Sequence, residues 1–392
     1  MLAGWLAATG RIGRREDPGR LWEQARAAWS SGRLDEAEAL LDRLARRRRP
    51  PTAERLLWAQ VARERGQFDR ALEVLEEADD HGPEAAVIWR TRGLLEFDRD
   101  HARPAEEALI RALALDPGLA DAHRDLVNIY TIKGQRPELE AHLRALADAG
   151  PLSFSDLYLW CLGRRLEVGP AELADRLGRM LDHDPGDRQV RLALAEDLRR
   201  LGHLDEAGTA LAPLGEADPQ ALAARALLAL DRGRLDEANE LLARGPGGEP
   251  DLERLRGRLA LAGGDRAAVG HYRAALAASP DDRDCLFGLG QALRLAGQAE
   301  AARPLLKVAQ DRARLEWLIQ NACSPSKRDD PAVLREIGDQ CRMLQQLPQA
   351  RSWYRLALAR DPSSGELQAR LFEVDAALSR EQGGAERTRP RG

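Results

Sequence analysis

The sequence predicts an all-α protein: a stack of about ten antiparallel helix pairs closed by a last capping helix. Three observations carry that prediction. Pro83, Pro117, Pro151, Pro185 and Pro219 stand 34 residues apart each time, and Ala37, Ala71, Ala105, Leu139, Leu173 and Ala207 form a second ladder of the same period. An even period of this length marks a repeated structural unit. Within each period, apolar residues recur at three- and four-residue spacing in two runs parted by a turn, as expected for an apolar stripe on each of two helices. The composition is rich in Ala, Leu, Arg and Glu, has 4% aromatic residues, and lacks the runs of Val, Ile and Thr that strands prefer.

Residues 1–18 read as an N-terminal arm or short helix stopped at Pro18, which lacks the amide donor that a helix interior needs. The array then fills residues 19–380. In the first unit Leu21, Ala25 and Ala28 line one helix, Gly32 turns the chain, and Leu34, Ala37, Leu41 and Leu44 line the next. The second unit carries Trp58, Ala59 and Ala62, a turn at Gly66, then Phe68, Ala71 and Leu75; the third carries Trp89, Gly93, Ala105, Leu109, Ala112 and Pro117. In the fourth, with Leu126, Tyr130, Gly134 and Leu143, Leu139 replaces the small residue and is expected to widen the helix contact. The fifth departs most: Leu157, Trp160, Cys161, Leu177 and Met180 keep an apolar stripe, while Gly169 and Pro170 predict a displaced turn. The sixth, with Ala195, Gly202, Ala207 and Leu211, restores the pattern, and from Pro219 the proline spacing falls to 31 and then 30 residues.

In the eighth unit Gly257 lies one place from the expected small position, which predicts a rotated or frayed first helix. The loop Gly245–Pro250, GPGGEP, reads as the weakest hinge because glycine raises the entropic cost of ordering. The ninth unit fits well, and the next small position, Ala350, comes 48 residues beyond Ala302. The irregular insertion this implies falls near residues 311–330, with a prolonged helix at Leu315–Ile319 and a loop at Ser324–Ser326; a plain bulge is preferred over a partner-facing element. After the tenth unit, a capping helix from about Gly365 to Leu378 precedes a polar tail, 381–392, expected to be disordered.

The residues Trp89, Gly93, Ala105, Ala112 and Pro117 resemble, in place, the pattern of the tetratricopeptide repeat. The resemblance covers about residues 20–365 and implies a right-handed superhelical solenoid that serves as a scaffold for protein partners. It also implies that the first helices of successive units line a concave, peptide-binding groove. On that wall fall Arg90 and Phe97, Arg124 and Asn128, Tyr158 and Arg165, and Arg199 and Arg200. The guanidinium groups offer planar donors to carboxylates, with Phe97 and Tyr158 as apolar anchors. The opposing expectation is a plain solvated face in which these arginines pair with Asp98, Asp121 and Glu196. Arg124 and Asn128 resemble part of the clamp with which some family members hold chaperone tails, but Leu159 and Leu192 stand where further polar residues belong.

Composition and motifs point away from other classes. With 59 basic against 64 acidic residues the net charge is -5, too balanced for affinity resting on phosphate neutralisation, so no nucleic-acid partner is expected. Cys161, Cys285, Cys323 and Cys341 form no CxxC pair, and the seven histidines form no HxxxH pair, so neither a metal, a cofactor nor a catalytic residue is expected. Carboxylate pairs such as Asp35-Glu36, Asp205-Glu206 and Asp236-Glu237 recur at one place in the unit, which suits a helix N-terminus and its dipole. The run Arg46–Arg49 suits a helix C-terminus in the same way. No stretch approaches the roughly 20 apolar residues of a membrane span. The expected location is cytoplasmic, or membrane-associated or periplasmic if the apolar start MLAGWLAATG is the end of an anchor; the scarcity of lysine points to a GC-rich, bacterial genome. The reading is thus a non-enzymatic adaptor for a protein or peptide, with a structural envelope-assembly subunit as the alternative.

Overall fold

The computed structural model describes residues 17–78, 81–163 and 170–387, and every regular element among them is a helix. The chain divides into two compact units between Asp125 and Leu126. In the first, α1 (Pro18–Ser30) pairs with α2 (Leu34–Ala45), α3 (Thr52–Glu64) with α4 (Phe68–Glu76), and α5 (Ala85–Asp98) with α6 (Ala102–Leu115). The boundary falls inside α7 (Ala120–Ile132). The second unit continues with α8 (Arg136–Ala149), α9 (Phe154–Leu162) and α10 (Pro170–His183). Then come α11 (Arg188–Arg200) with α12 (Leu204–Leu211), α13 (Pro219–Asp231) with α14 (Leu235–Arg244), and α15 (Pro250–Ala262) with α16 (Ala268–Ala278). It ends with α17 (Arg283–Leu295) on α18 (Ala299–Asn321), the short α19 (Pro325–Arg328), α20 (Pro331–Met343) on α21 (Leu347–Arg360), and α22 (Gly365–Arg387).

One turn joins most pairs. Gly32, Gly66, Gly134, Gly202, Gly233, Gly264 and Gly297 take positive φ, and Asp100 and Gln345 take it at the same place in their units. The next residue's amide then reaches the carbonyl five residues back, as in Arg33 to Ala28 at 2.9 Å, Gln67 to Ala62 at 2.8 Å and Gln346 to Cys341 at 2.9 Å. That bond satisfies a carbonyl the helix end would otherwise leave open. Pro18 opens α1 instead of stopping a helix, since its missing amide needs no partner in the first turn and Asp17 caps Gly19. Residues 1–16 of the expected arm 1–18 lie outside the described residues, as does Gly169 of the expected displaced turn; Pro170 is the first residue of α10.

The small first-helix residues are contact points. A Cβ on Gly93 would come 2.8 Å from Leu109, on Gly290 2.5 Å from Leu306, and on Gly338 2.5 Å from the Tyr354 ring. Gly257 does the same work: its Cβ would meet the Tyr272 ring at 3.1 Å. The first helix of that unit, α15, is therefore neither rotated nor frayed, because the missing residue is taken up after the turn, where α16 starts only at Ala268. Nor is the GPGGEP loop left loose. Arg256 donates to the carbonyls of Leu242, Gly245 and Pro246 at 2.6–3.0 Å, and Glu253, 5% exposed, accepts from the Gly248 amide at 3.1 Å and holds His271 at 2.7 Å. Burial acts to raise the Glu253 carboxyl, but the hydrogen bonds from His271, Gly248 and Arg256 outweigh it and hold it below the usual range.

The two most irregular stretches of the sequence meet each other. In the second unit α9 packs on α21 and α18, and α8 on α21, so the pairs that begin and end this unit touch. Trp353 lies fully buried against Phe154, ring centroids 5.5 Å apart and nearly edge-on, and donates its indole N–H to Cys161 Sγ at 3.5 Å. Arg355 donates to the Ala147 carbonyl at 2.9 Å, and Arg351 pairs with Asp148. The insertion supplies Arg328, stacked 5.0 Å over the Phe154 ring and donating to Ser155 Oγ at 2.9 Å. What reads as a bulge in sequence is a clasp on α9. That helix is short because Ser153 and Asp156 form a capping box at its start and Gly163, at φ 65°, ends it. At the far end α22 runs on to Arg387, past the expected boundary near 380.

Candidate functional site

The expected binding residues among the described ones sit on first helices, and Arg90 and Arg199 are engaged there. Arg90 bonds Asp125 at 2.7 Å and Asp121 at 3.2 Å, both on α7. Arg199 bonds Glu196 at 2.9 Å on its own helix and Asp231 at 2.5 Å on α13. The same link from one first helix to the next recurs in Trp29 to Glu64 at 2.8 Å, Arg63 to Asp98 at 2.5 Å and Arg335 to Glu366. These bonds lie along the seam between successive units and fix their register, which is a structural task for a guanidinium fork.

Arg124 and Arg200 differ. Arg124 is half exposed, with only Asp121 at 3.5 Å one turn earlier, and Arg200 is 60% exposed, with Glu196 at 2.8 Å one turn earlier. Such within-helix pairs are worth about 0.3–0.5 kcal/mol and yield readily to a ligand carboxylate. Phe97 and Asn128 are half-buried, and Tyr158 is 7% exposed, its ring inside the second unit rather than on a wall. Arg165 lies outside the described residues.

A second set of arginines escaped sequence reasoning, which took the arginine excess for genome bias. Arg92, Arg225 and Arg256 each stand immediately before a small first-helix residue and reach the open carbonyls ending the previous second helix. Arg92 donates to Leu75 O at 2.8 Å, Arg225 to Leu211 O and Leu214 O at 2.8 and 2.7 Å, and Arg256 to Leu242 O at 2.6 Å. Positive charge there suits the helix dipole. The acidic pairs at Asp35, Asp205 and Asp236 do stand in the first turns of their helices, and the first two are also met by Arg65 and Arg232 of the next unit. In the Arg46–Arg49 run, Arg48 meets the buried Glu54 at 2.5 Å.

In the second unit α11, α13, α15 and α17 lie side by side, each first helix touching the next. On this wall Ala223 is buried, Leu227 and Leu230 are half-buried, and Arg200, Phe287 (53%) and Leu295 (43%) are exposed. Asp197, on the same helix as Arg199, is 7% exposed and burial pushes its carboxyl up to about 6, against the pull of Arg200. The sign follows. Between about pH 4 and 6 the folded chain holds a proton that the unfolded chain has lost, so this group's contribution to stability falls as pH rises through that window. Asp197→Asn is expected to raise stability at pH 7.5 by about 1 kcal/mol, after allowing for solvent screening, and to change it little at pH 4. Urea midpoints at the two pH values check this.

Among the described residues, no group of His, Cys, Asp and Glu could hold a metal ion, and no helix is long and apolar enough to cross a membrane. Residues 23–86, 56–100 and 254–315 match the tetratricopeptide repeat model. The chain is 30% identical over 217 residues to the cellulose synthase operon protein C of Xanthomonas axonopodis pv. citri (strain 306), a stretch that is 52% of this chain and 14% of that protein. It thus spans a small part of the length of that relative. Solved structures with loosely similar arrangements include the Cut9-Hcn1 hetero-tetramer of APC/C, with TM-score 0.35, 16% identity and coverage of 92% and 90% of the two chains. Yeast Tom70 gives 0.33, 12%, and 94% and 90%; a tetratricopeptide repeat protein from Parabacteroides merdae gives 0.30, 17%, and 70% and 98%. The chain thus carries tetratricopeptide repeats over residues 23–100, which take in α2–α5, and over residues 254–315, within α15–α18.

Proposed function

We propose that the chain is a scaffold that acts by binding and holds a protein segment on the wall formed by α11, α13, α15 and α17. One observation carries this: four first helices stand side by side, with the weakly held Arg200 at one end on α11 and the exposed Phe287 and Leu295 at the other on α17. Repeats of this family support protein–protein scaffolds, and a wall of this chemistry suits a segment with apolar residues flanked by carboxylates. Within the first unit the exposed Arg124 stands one helix on from Arg90, which Asp121 and Asp125 hold, and the half-buried Phe97.

The test uses the full chain as bait in native lysate, identifies what it retains by mass spectrometry, and then measures the dissociation constant with the purified partner. Phe287→Asp is expected to weaken binding at least tenfold with an unchanged melting curve, whereas Arg124→Glu reports on the first unit. Arg199→Glu is expected to lower stability instead, since it would set a third carboxylate between Glu196 and Asp231. Unchanged affinity in Phe287→Asp would remove the wall assignment.

The match to the cellulose synthase operon protein C supports a second reading, a subunit of an envelope assembly. Cell fractionation with and without residues 1–18 separates it from a cytoplasmic adaptor: recovery with membranes that depends on those residues supports the envelope reading.

A further inference from the structure

The insertion has an outer face as well as the face that clasps α9. Past Asp311, α18 runs on to Asn321; Leu315, Leu318 and Ile319 are buried there, and Trp317, turned away from them, is 61% exposed. Arg283 at the start of α17 reaches Glu316 at 2.5 Å, so Trp317 stands beside that ion pair, and the exposed Phe287 follows Arg283 by one turn. On the other flank of α17 the Tyr272 ring lies between Gly257 of α15 and Gly288, and an added Cβ on either glycine would run into it. Arg258 directly follows the first glycine and Phe287 directly precedes the second, which sets the two level across the α15–α17 seam. Arg294 lies two turns on from Phe287 along the same stripe of α17.

Charge decides what this surface takes. Arg258 and Arg294 are exposed, and among the described residues neither has a carboxylate partner. The carboxylates of the same wall are already taken: Glu196 and Asp231 by Arg199, Asp251 by Arg254, and Asp284 and Glu316 by Arg283. We propose that the segment held on this wall is acidic: its carboxylates pair with Arg258 and Arg294, and apolar side chains between them pack on Phe287 and on Trp317 of the insertion. This rests on the wall being a scaffold's binding surface, and it narrows the partner to an acidic peptide. Paired guanidinium and carboxylate groups make charge-assisted forks, and exposed Trp and Arg are the side chains most often found as binding anchors. The two turns of α17 from Phe287 to Arg294 span about 10 Å, so carboxylates about three or four residues apart in an extended segment reach both arginines.

The experiment pans a random phage-display peptide library on the folded full-length chain and measures the dissociation constant of a labelled peptide of the recovered consensus. That consensus is expected to hold a pair of Asp or Glu residues about three or four positions apart around an apolar one. The double variant Arg258→Gln, Arg294→Gln is expected to weaken the peptide at least tenfold with an unchanged melting curve, and Trp317→Ala by a similar factor. Raising the salt from about 0.05 to 0.5 M should weaken binding to the wild type more than to the double variant, which has lost the charges that salt screens. A neutral or basic consensus, or an acidic one indifferent to the double variant, would overturn the acidic pairing, and unchanged affinity in Trp317→Ala would remove the insertion from the site. If Phe287→Asp still abolishes binding in those cases, the wall itself stands; if it does not, or if no peptide is recovered, the wall falls as well.

Discussion

Trp353→Ala is expected to release α9 from α21 and cost about 3–5 kcal/mol of the second unit's stability, the range for deleting a fully buried large aromatic side chain. The side chain has no exposed surface, meets Phe154 edge-on at 5.5 Å, and gives its only N–H to Cys161. Removing it leaves a cavity between two helices nearly 200 residues apart in sequence; the polar contacts around it run past the gap, from α21 to α8 through Arg351–Asp148 and Arg355, and from α19 to α9 through Arg328. Those are partly exposed polar contacts, worth about 1 kcal/mol each or less. Stability in a repeat array is approximately a sum of local and neighbour terms, so the loss should show as local opening rather than global unfolding. Hydrogen exchange is expected to accelerate in residues 154–162 and 347–357 and to stay unchanged in 18–115. Trp353→Phe keeps the ring contact and is expected to cost much less. Equal exchange in wild type and Trp353→Ala would mean that the closure does not depend on this side chain.

That closure marks the limit of what the sequence made legible. Helix pairs, their turns and the small contact residues follow from local periodicity, and the structure places them where the 34-residue ladders put them: Ala105 and Ala112 are fully buried, and Gly32, Gly66 and Gly202 turn the chain. The displaced small residue of the eighth unit was misjudged because counting back from Ala268 skips the shortened start of α16, whereas counting from the turn at Gly264 puts Gly257 in register. The fifth unit and the 311–330 insertion could each be seen to be irregular. Nothing local could say that they fit each other, because a contact between residues such as Phe154 and Arg328 leaves no periodic trace. The binding wall was legible only as a set of positions. Whether an arginine there is free for a ligand depends on a carboxylate some 30 residues on, as Arg199 and Asp231 show, and on how far exposure differs between sequence neighbours, 21% for the Arg199 side chain against 60% for Arg200.

Gly338→Val is the second large expected effect, and magnitudes decide its sign against a milder substitution at the same place. A Cβ on Gly338 would stand 2.5 Å from Tyr354 Cε1 and 2.7 Å from Cδ1. The ring cannot retreat: Tyr354 is fully buried and its hydroxyl donates to Asp339 Oδ1 at 2.7 Å. Alanine adds that one carbon, costing about 1–3 kcal/mol in forced shifts, and recovers about 1 kcal/mol in helix propensity, so Gly338→Ala is expected to be mildly destabilising. Valine adds two further methyl groups against the same ring and recovers less propensity. Its cost is expected to exceed about 3 kcal/mol, enough to part α20 from α21. Gly178 in α10 gives the control, since its Cβ would meet nothing within 4 Å. Gly178→Ala is expected to stabilise by up to about 1 kcal/mol. Urea unfolding followed by exchange in α20 and α21 reads all three. A Tyr354→Leu background should shrink the penalty of Gly338→Ala, because the two changes share one contact and cannot be additive. If the penalty is the same in both backgrounds, the glycine is required for some reason other than the approach of that ring.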